Sequence, residues 1–219
     1  MRIIAGQRRG HKIEGPRPSA STRPTSDFVR ESLFNILGAR VVDRLVVDLF
    51  AGTGALGLEA LSRGARRAIF IEKDRANVSL ILRNLATLRY QDRAQVRHAD
   101  AYRWMRSFER IDDRPLVVFL DPPYRDWQIR ARTLNPMLAQ LVEKLPADSV
   151  VALESGRILD ERMLPEFARW DIRRYGNTQL ALRIVAMPEE GVGGPVGPDG
   201  RSMDIDAPVG PGTEDDPDD

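Results

Sequence analysis

The sequence predicts an α/β protein built on a mostly parallel, seven-stranded sheet that is covered on both faces and closed by an antiparallel hairpin. Five short runs, "LVVDLF", "RAIFIE", "AQVRHAD", "LVVFLD" and "SVVALE", alternate with helix-like stretches between residues 45 and 154. Such near-continuous apolar runs are the mark of strands buried on both faces of a parallel sheet. Two further runs, "RWDIRRYG" and "TQLALRIVA", meet at Gly176-Asn177, a tight antiparallel turn whose type stays open because Asn follows Gly.

Taken in order, Met1 to Ser26 carries Arg2, Arg8, Arg9, Lys12, Arg17 and Arg23 against the single acid Glu14. Its glycines and prolines predict a short β-hairpin followed by extended chain. Thr25 or Ser26 then caps a helix with Asp27 in its first turn, which favours the helix dipole. Val29, Leu33, Ile36 and Leu37 give that helix an apolar stripe,. Further helices are expected over Ala55–Arg63, Arg75–Leu88 and Ala131–Lys144. Residues 188–219 are rich in Gly, Pro and Asp and lack aromatics, so they are expected to be a disordered acidic tail. The expected organisation is thus a basic extension over 1–26, one domain over 27–187, and the tail.

Charge is unevenly distributed. The net charge of the chain is +1, but residues 188–219 hold ten acids and one base, Arg201. The remaining residues therefore carry 32 bases against 22 acids, enough to meet a polyanion or to serve as solvated surface. The absence of cysteine excludes disulfides, iron–sulfur clusters and thiolate zinc sites,. His11 and His98 are the only histidines, so no metal is expected. No apolar run approaches the roughly 20 residues of a membrane span, and no signal-peptide core is visible. A cytoplasmic monomer is the default expectation.

"VVDLFAGTGALGLEA" places Gly52, Gly54 and Gly57 directly after the first strand and at the opening of a helix. The G-x-G-x-x-G spacing lets backbone N–H groups and a helix N-terminus approach a ligand closely. Glu72 ends the second strand, where a ribose-binding carboxylate belongs. In NAD enzymes the ligand at such a loop is a pyrophosphate, which Asp48 at the first strand's end would repel. Asp48 would attract an ammonium group instead. S-adenosylmethionine offers an ammonium, a carboxylate, a ribose and an adenine without phosphate. Asp100, ending the third run, is suited to the adenine amine. Each acid alone is equally explained as a cap or loop charge, but three strand-end acids around one Gly loop point to a ligand.

"FLDPPYRDW" ends the fourth strand with Asp121, Pro122, Pro123 and Tyr124. An exocyclic amine on a base is a poor nucleophile because its lone pair is delocalised into the ring. Acceptors on both hydrogens, the Asp121 carboxylate and the Pro122 carbonyl, localise that lone pair. The prolines fix the acceptors beforehand, and Tyr124 can stack on the base. Trp127 either shapes that pocket or belongs to the core. Asp112-Asp113 reads as a solvated loop.

These motifs resemble class I S-adenosylmethionine-dependent amino-methyltransferases, which have a Rossmann-like fold. More narrowly, "RPTSDFVRESLFNIL", "DLFAGTGALGLEALSRGA", "FLDPPY" and "YGNTQLAL" resemble the RsmD family over about residues 1–187. The resemblance implies methylation of the N2 amine of a guanine in bacterial 16S rRNA, conventionally number 966, within a small-subunit assembly particle. It implies S-adenosylmethionine as cofactor and S-adenosylhomocysteine as product. It also implies RNA contact by the N-terminal segment, with Arg8, Arg9, Lys12 and Arg23 as candidates. D-P-P-Y is shared with DNA adenine-N6 enzymes, which remain the alternative beside a non-enzymatic RNA-binding protein. The acidic tail departs from the family pattern.

Overall fold

The computed structural model describes residues 1–15, 27–109, 111–123, 126–127 and 131–186, and of Ala131 and Arg132 the backbone alone. The expected cap at Thr25 or Ser26, the tail, Arg23 and Tyr124 lie outside the described residues. Strands β1 (Leu45–Asp48), β2 (Arg67–Glu72), β3 (Ala94–His98), β4 (Leu116–Leu120), β5 (Val150–Ser155), β6 (Asp171–Tyr175) and β7 (Thr178–Ile184) form one sheet. Their order is β3-β2-β1-β4-β5-β7-β6. The first five strands pair in parallel, while β7 pairs antiparallel with both β5 and β6.

Gly176 has φ +60°, and Asn177 is absent from the positive-φ residues. Gly at the first central position alone with positive φ is the type II′ hairpin turn, which settles the open turn type.

Helix α1 (Asp27–Leu37), α2 (Ala55–Ser62) and α3 (Arg75–Leu88) cover one face of the sheet. Helix α4 (Ala101–Arg106) and α5 (Ala131–Lys144) cover the other. Helix α2 stops one residue before the expected end, at Ser62. Side-chain periodicity chooses the faces: Val46, Phe119 and Ala152 pack toward α1–α3, while Val47, Val118 and Leu153 pack toward α4 and α5,. Trp127 is buried in the second cluster, so of its two readings the core one holds.

The N-terminal hairpin is a single antiparallel bridge, Arg2 opposite Lys12. It is flanked by bonds from the Ile3 N–H to His11 O (3.0 Å) and the Ile13 N–H to Met1 O (3.1 Å). Ile3 and Ile13 enter the same core as α1–α3, so residues 1–15 are fastened to the body. Glu59, wholly buried in α2, accepts the N–H groups of Ile4 (2.8 Å) and Ala5 (3.0 Å) and the Arg63 Nε–H (2.8 Å). Ser62 adds a bond to Ala5 O and accepts from the Arg8 N–H.

Candidate functional site

The order of the parallel strands reverses between β1 and β4, and a ligand crevice forms outside the carboxyl ends of strands at such a point,. Asp48 ends β1 on one side of it, and Asp121 follows β4 on the other. Asp48 is 2% exposed and accepts the Gly57 N–H at 3.1 Å. Burial raises its pKa to about 7, the Gly57 bond opposes the rise, and the nearby Glu72 charge adds to it. A buried acid held this way attracts a cation.

The Gly loop is shaped as its spacing predicts. Gly54 opens α2 with φ +81° and offers no side-chain cap of its own, while Asp48 takes the Gly57 N–H of the helix's first turn,. A Cβ at Gly57 would lie 2.3 Å from the Phe70 ring, so this glycine lets α2 press against β2. Gly52 donates its N–H to Glu72 Oε2 at 2.7 Å, and Asp74 donates to Oε1 at 2.7 Å. Glu72 therefore pins the loop as well as ending β2, a role the sequence did not disclose. Each of its oxygens keeps a second lone pair for a ligand.

Asp100 is the N-cap of α4, its Oδ1 accepting the Arg103 N–H at 2.9 Å. One oxygen is thus committed to the cap that its position alone equally suggested. Asp121 stands half-exposed at the crevice. Its pKa is raised well above the usual carboxylate range, first by desolvation and then by the charges of Glu154 and Asp48. Pro122 is buried, and the Pro123 carbonyl accepts the Asp126 N–H at 2.8 Å. Asp126 is buried and accepts from the Tyr102 hydroxyl at 3.1 Å. The structure thus brings together Asp48, Gly52, Gly54, Gly57, Glu72, Asp121 and Pro122 at one edge of the sheet.

The candidate RNA residues divide. Arg8 sends its Nε–H to Leu88 O (3.0 Å) and lies 5.9 Å from the Tyr90 ring, so its guanidinium serves the fold. Arg9 and Lys12 are exposed. The sequence reading missed Asn84. Its Oδ1 accepts the Glu14 N–H (2.8 Å), and its Nδ2 donates to Glu14 O (3.1 Å) and to Thr53 O in the Gly loop (3.2 Å). An amide on the inner face of an amphipathic helix was the available signal. Asp112 is held by Arg66 and Arg114 with its side chain 16% exposed, so it is tied to the body rather than solvated as expected. No cluster of His, Cys, Asp or Glu able to hold a metal occurs among the described residues, nor is any helix among them long and apolar enough to cross a membrane.

A sheet of this order, with a Gly loop after β1 and acids at successive strand ends, defines a Rossmann-like class I methyltransferase fold. The family model described as "Conserved hypothetical protein 95" matches residues 1–184, and the chain belongs to that family, the RsmD family. Escherichia coli ribosomal RNA small subunit methyltransferase D is 48% identical over 126 residues, which span 57% of this chain and 61% of that protein. YlbH of Bacillus subtilis is 36% identical over 166 residues, 76% of this chain and 86% of that one. The solved structure of yhhF from Escherichia coli superposes with a TM-score of 0.66 at 36% identity, covering 85% of this chain and 98% of that chain.

Proposed function

We propose that the protein methylates the exocyclic N2 of a guanine in 16S rRNA, position 966 in conventional numbering, with S-adenosylmethionine as donor. The observation that carries this reading is the pair of buried-edge acids, Asp48 and Asp121, flanking the sheet's reversal point in a chain of this family. The residues fit the cofactor: Asp48 suits its ammonium, the first turn of α2 ahead of the Asp48-bound Gly57 N–H its carboxylate, and Glu72 its ribose hydroxyls. Asp100, with one oxygen in the α4 cap, has the other for the adenine amine. When bound, the cofactor supplies an electrophilic methyl group and leaves as S-adenosylhomocysteine.

The protein's own contribution is positional and electrostatic. Asp121 and the Pro122 carbonyl accept the two amine hydrogens, which turns the nitrogen lone pair away from the ring. The prolines hold these acceptors in place before substrate arrives, so little reorganisation is needed. As the N–CH₃ bond forms, the nitrogen gives up one proton, and the raised proton affinity of Asp121 suits it to receive it,. A stacked base cannot reach this edge, so the target must leave its stack, and Tyr124 is proposed to support its ring. The proposed site of action is a small-subunit assembly particle in the cytoplasm, met by a monomer.

Transfer of labelled methyl from S-adenosylmethionine to unmodified small-subunit RNA, followed by nucleoside analysis, tests the reading. N2-methylguanosine is the expected product. Label in N6-methyladenosine of DNA, or no transfer at all, would sink it. RNA contact by the clasped N-terminal segment makes a second prediction. Replacing Arg9 and Lys12 together with alanine should weaken RNA binding and reduce the slope of log K against log salt by about 1.4, two single-strand counterions. Filter binding between low and moderate salt gives that slope. An unchanged slope would leave the segment a purely structural clasp.

A further inference from the structure

We propose that Asn84 is a positioning residue for the cofactor: it braces the Gly loop against the N-terminal segment and makes that segment a working part of the cofactor site. The inference rests on the placement of S-adenosylmethionine at this loop proposed above, and deepens it.

The loop has reason to need a brace. Thr53 stands between two glycines of positive φ, Gly52 at +52° and Gly54 at +81°. Glycine has no Cβ to restrict it, so such a stretch is free to turn unless its peptide groups are held. The Gly52 N–H is held by the Glu72 carboxylate. The peptide that joins Thr53 to Gly54 leads directly into α2. Its N–H donates to Ala51 O at 2.6 Å, and its carbonyl accepts from Asn84 Nδ2 at 3.2 Å. That peptide plane is thus fixed at both ends.

Asn84 is aimed in its turn by main chain. It is 1% exposed on α3, one turn after the buried Ile81. A Cβ on Gly54 would lie 3.2 Å from the Ile81 side chain, so two residues on one helix face meet the loop together. The second Nδ2 hydrogen goes to Glu14 O (3.1 Å), and Oδ1 accepts the Glu14 N–H (2.8 Å). These two bonds to one residue fix the amide plane. They also fix which end is nitrogen, since a flipped amide would set NH₂ against an N–H and its oxygen against two carbonyls. The N–H that faces Thr53 is therefore aimed by the backbone of residue 14. The same segment reaches the loop again where the Thr53 hydroxyl donates to Met1 Sδ at 3.8 Å.

A loop that must be ordered on binding costs affinity, and one ordered beforehand does not. The brace acts on cofactor affinity and not on methyl transfer, because the acceptors for the amine stand after β4, across the reversal point.

Calorimetry with S-adenosylhomocysteine, well below the melting temperature, tests this. Asn84→Ala should weaken binding by about tenfold, the scale of one buried hydrogen bond. The KM for S-adenosylmethionine should rise in parallel, with kcat at saturating cofactor within about twofold of wild type. Asn84→Leu fills the space of the amide but has no N–H, and should match it, so the test stands even where the alanine variant folds poorly. Residue 14 tests the brace itself. Glu14→Pro deletes the N–H that Oδ1 accepts and should weaken the cofactor by about threefold. Arg83→Ala breaks the Glu14–Arg83 ion pair but leaves that backbone intact, and should bind as wild type does. Asn84 variants with a lower melting temperature but wild-type affinity and KM would overturn the proposal. So would a Glu14→Pro variant that binds as tightly as Arg83→Ala. Glu72→Ala keeps the two failures apart: wild-type cofactor affinity there would remove the cofactor from this loop, and the inference with it.

Discussion

Asp121→Ala is expected to lower single-turnover methyl transfer by about 10²–10³-fold, the scale for removing one preorganised group at a developing charge. Affinity for S-adenosylhomocysteine should stay close to wild type, since in the proposed pose Asp121 meets the substrate amine and not the cofactor. Thermal stability separates this role from a structural one. Desolvation and the charges of Glu154 and Asp48 push the Asp121 pKa up, so the ionised form is disfavoured in the empty site. Its removal should leave the melting temperature unchanged or higher. Asp121→Asn, which keeps a carbonyl acceptor but cannot take the proton, should fall between the two. Rapid-quench measurements at saturating cofactor decide the matter. An alanine variant that turns over at the wild-type rate, or one that loses stability along with activity, would mean the carboxylate belongs to the fold and not to the clamp.

How far the sequence could be read depends on what each residue's partners are. The sheet was legible because buried parallel strands must be apolar throughout, and "LVVFLD" has no other stable use,. Helix α3 was legible to the residue, Arg75–Leu88, because a polar turn precedes it and Arg89 in the left-handed region ends it. The strand-end acids were legible as a group, since each interrupts an apolar run at its C-terminal end. Asp100 shows the limit: the α4 cap and a ligand contact call for the same residue type at the same place. Glu59 and Asn84 were hard to read, because the backbone groups they hold lie 31 to 70 residues away. A lone charge in the otherwise apolar "ALGLEALS" hinted at Glu59, and an amide on the inner face of α3 at Asn84. Arg8 shows a related limit. A basic residue in a basic segment suggests a phosphate, yet its partner is the Leu88 carbonyl at the end of α3.

Asp48→Asn should stabilise the cofactor-free protein at pH 8 and make cofactor binding weaker and insensitive to pH. The pKa of Asp48 rises from 3.8 to about 7 on folding, chiefly by burial. Between those values the folded state binds more protons than the unfolded state, so stability falls as pH rises through this window. Below pH 3.8 the carboxyl is neutral in both states and the effect vanishes. Above pH 7 it is fully expressed, on the order of 4 kcal/mol for a shift of this size,. Asparagine keeps an oxygen to accept the Gly57 N–H and carries no charge, so it should recover much of that loss. Binding runs the opposite way. The ammonium of the cofactor favours ionised Asp48, so wild-type affinity for S-adenosylhomocysteine should climb between pH 5 and pH 7. Its slope should approach tenfold per pH unit, that of one proton released on binding. The asparagine variant has no proton to release there, and its affinity should be both low and flat. Melting curves across pH 4 to 8, paired with calorimetry at the same points, test both halves together. A wild-type affinity as flat as the variant's would separate Asp48 from the ammonium and leave it as a buried acid that serves only to hold Gly57.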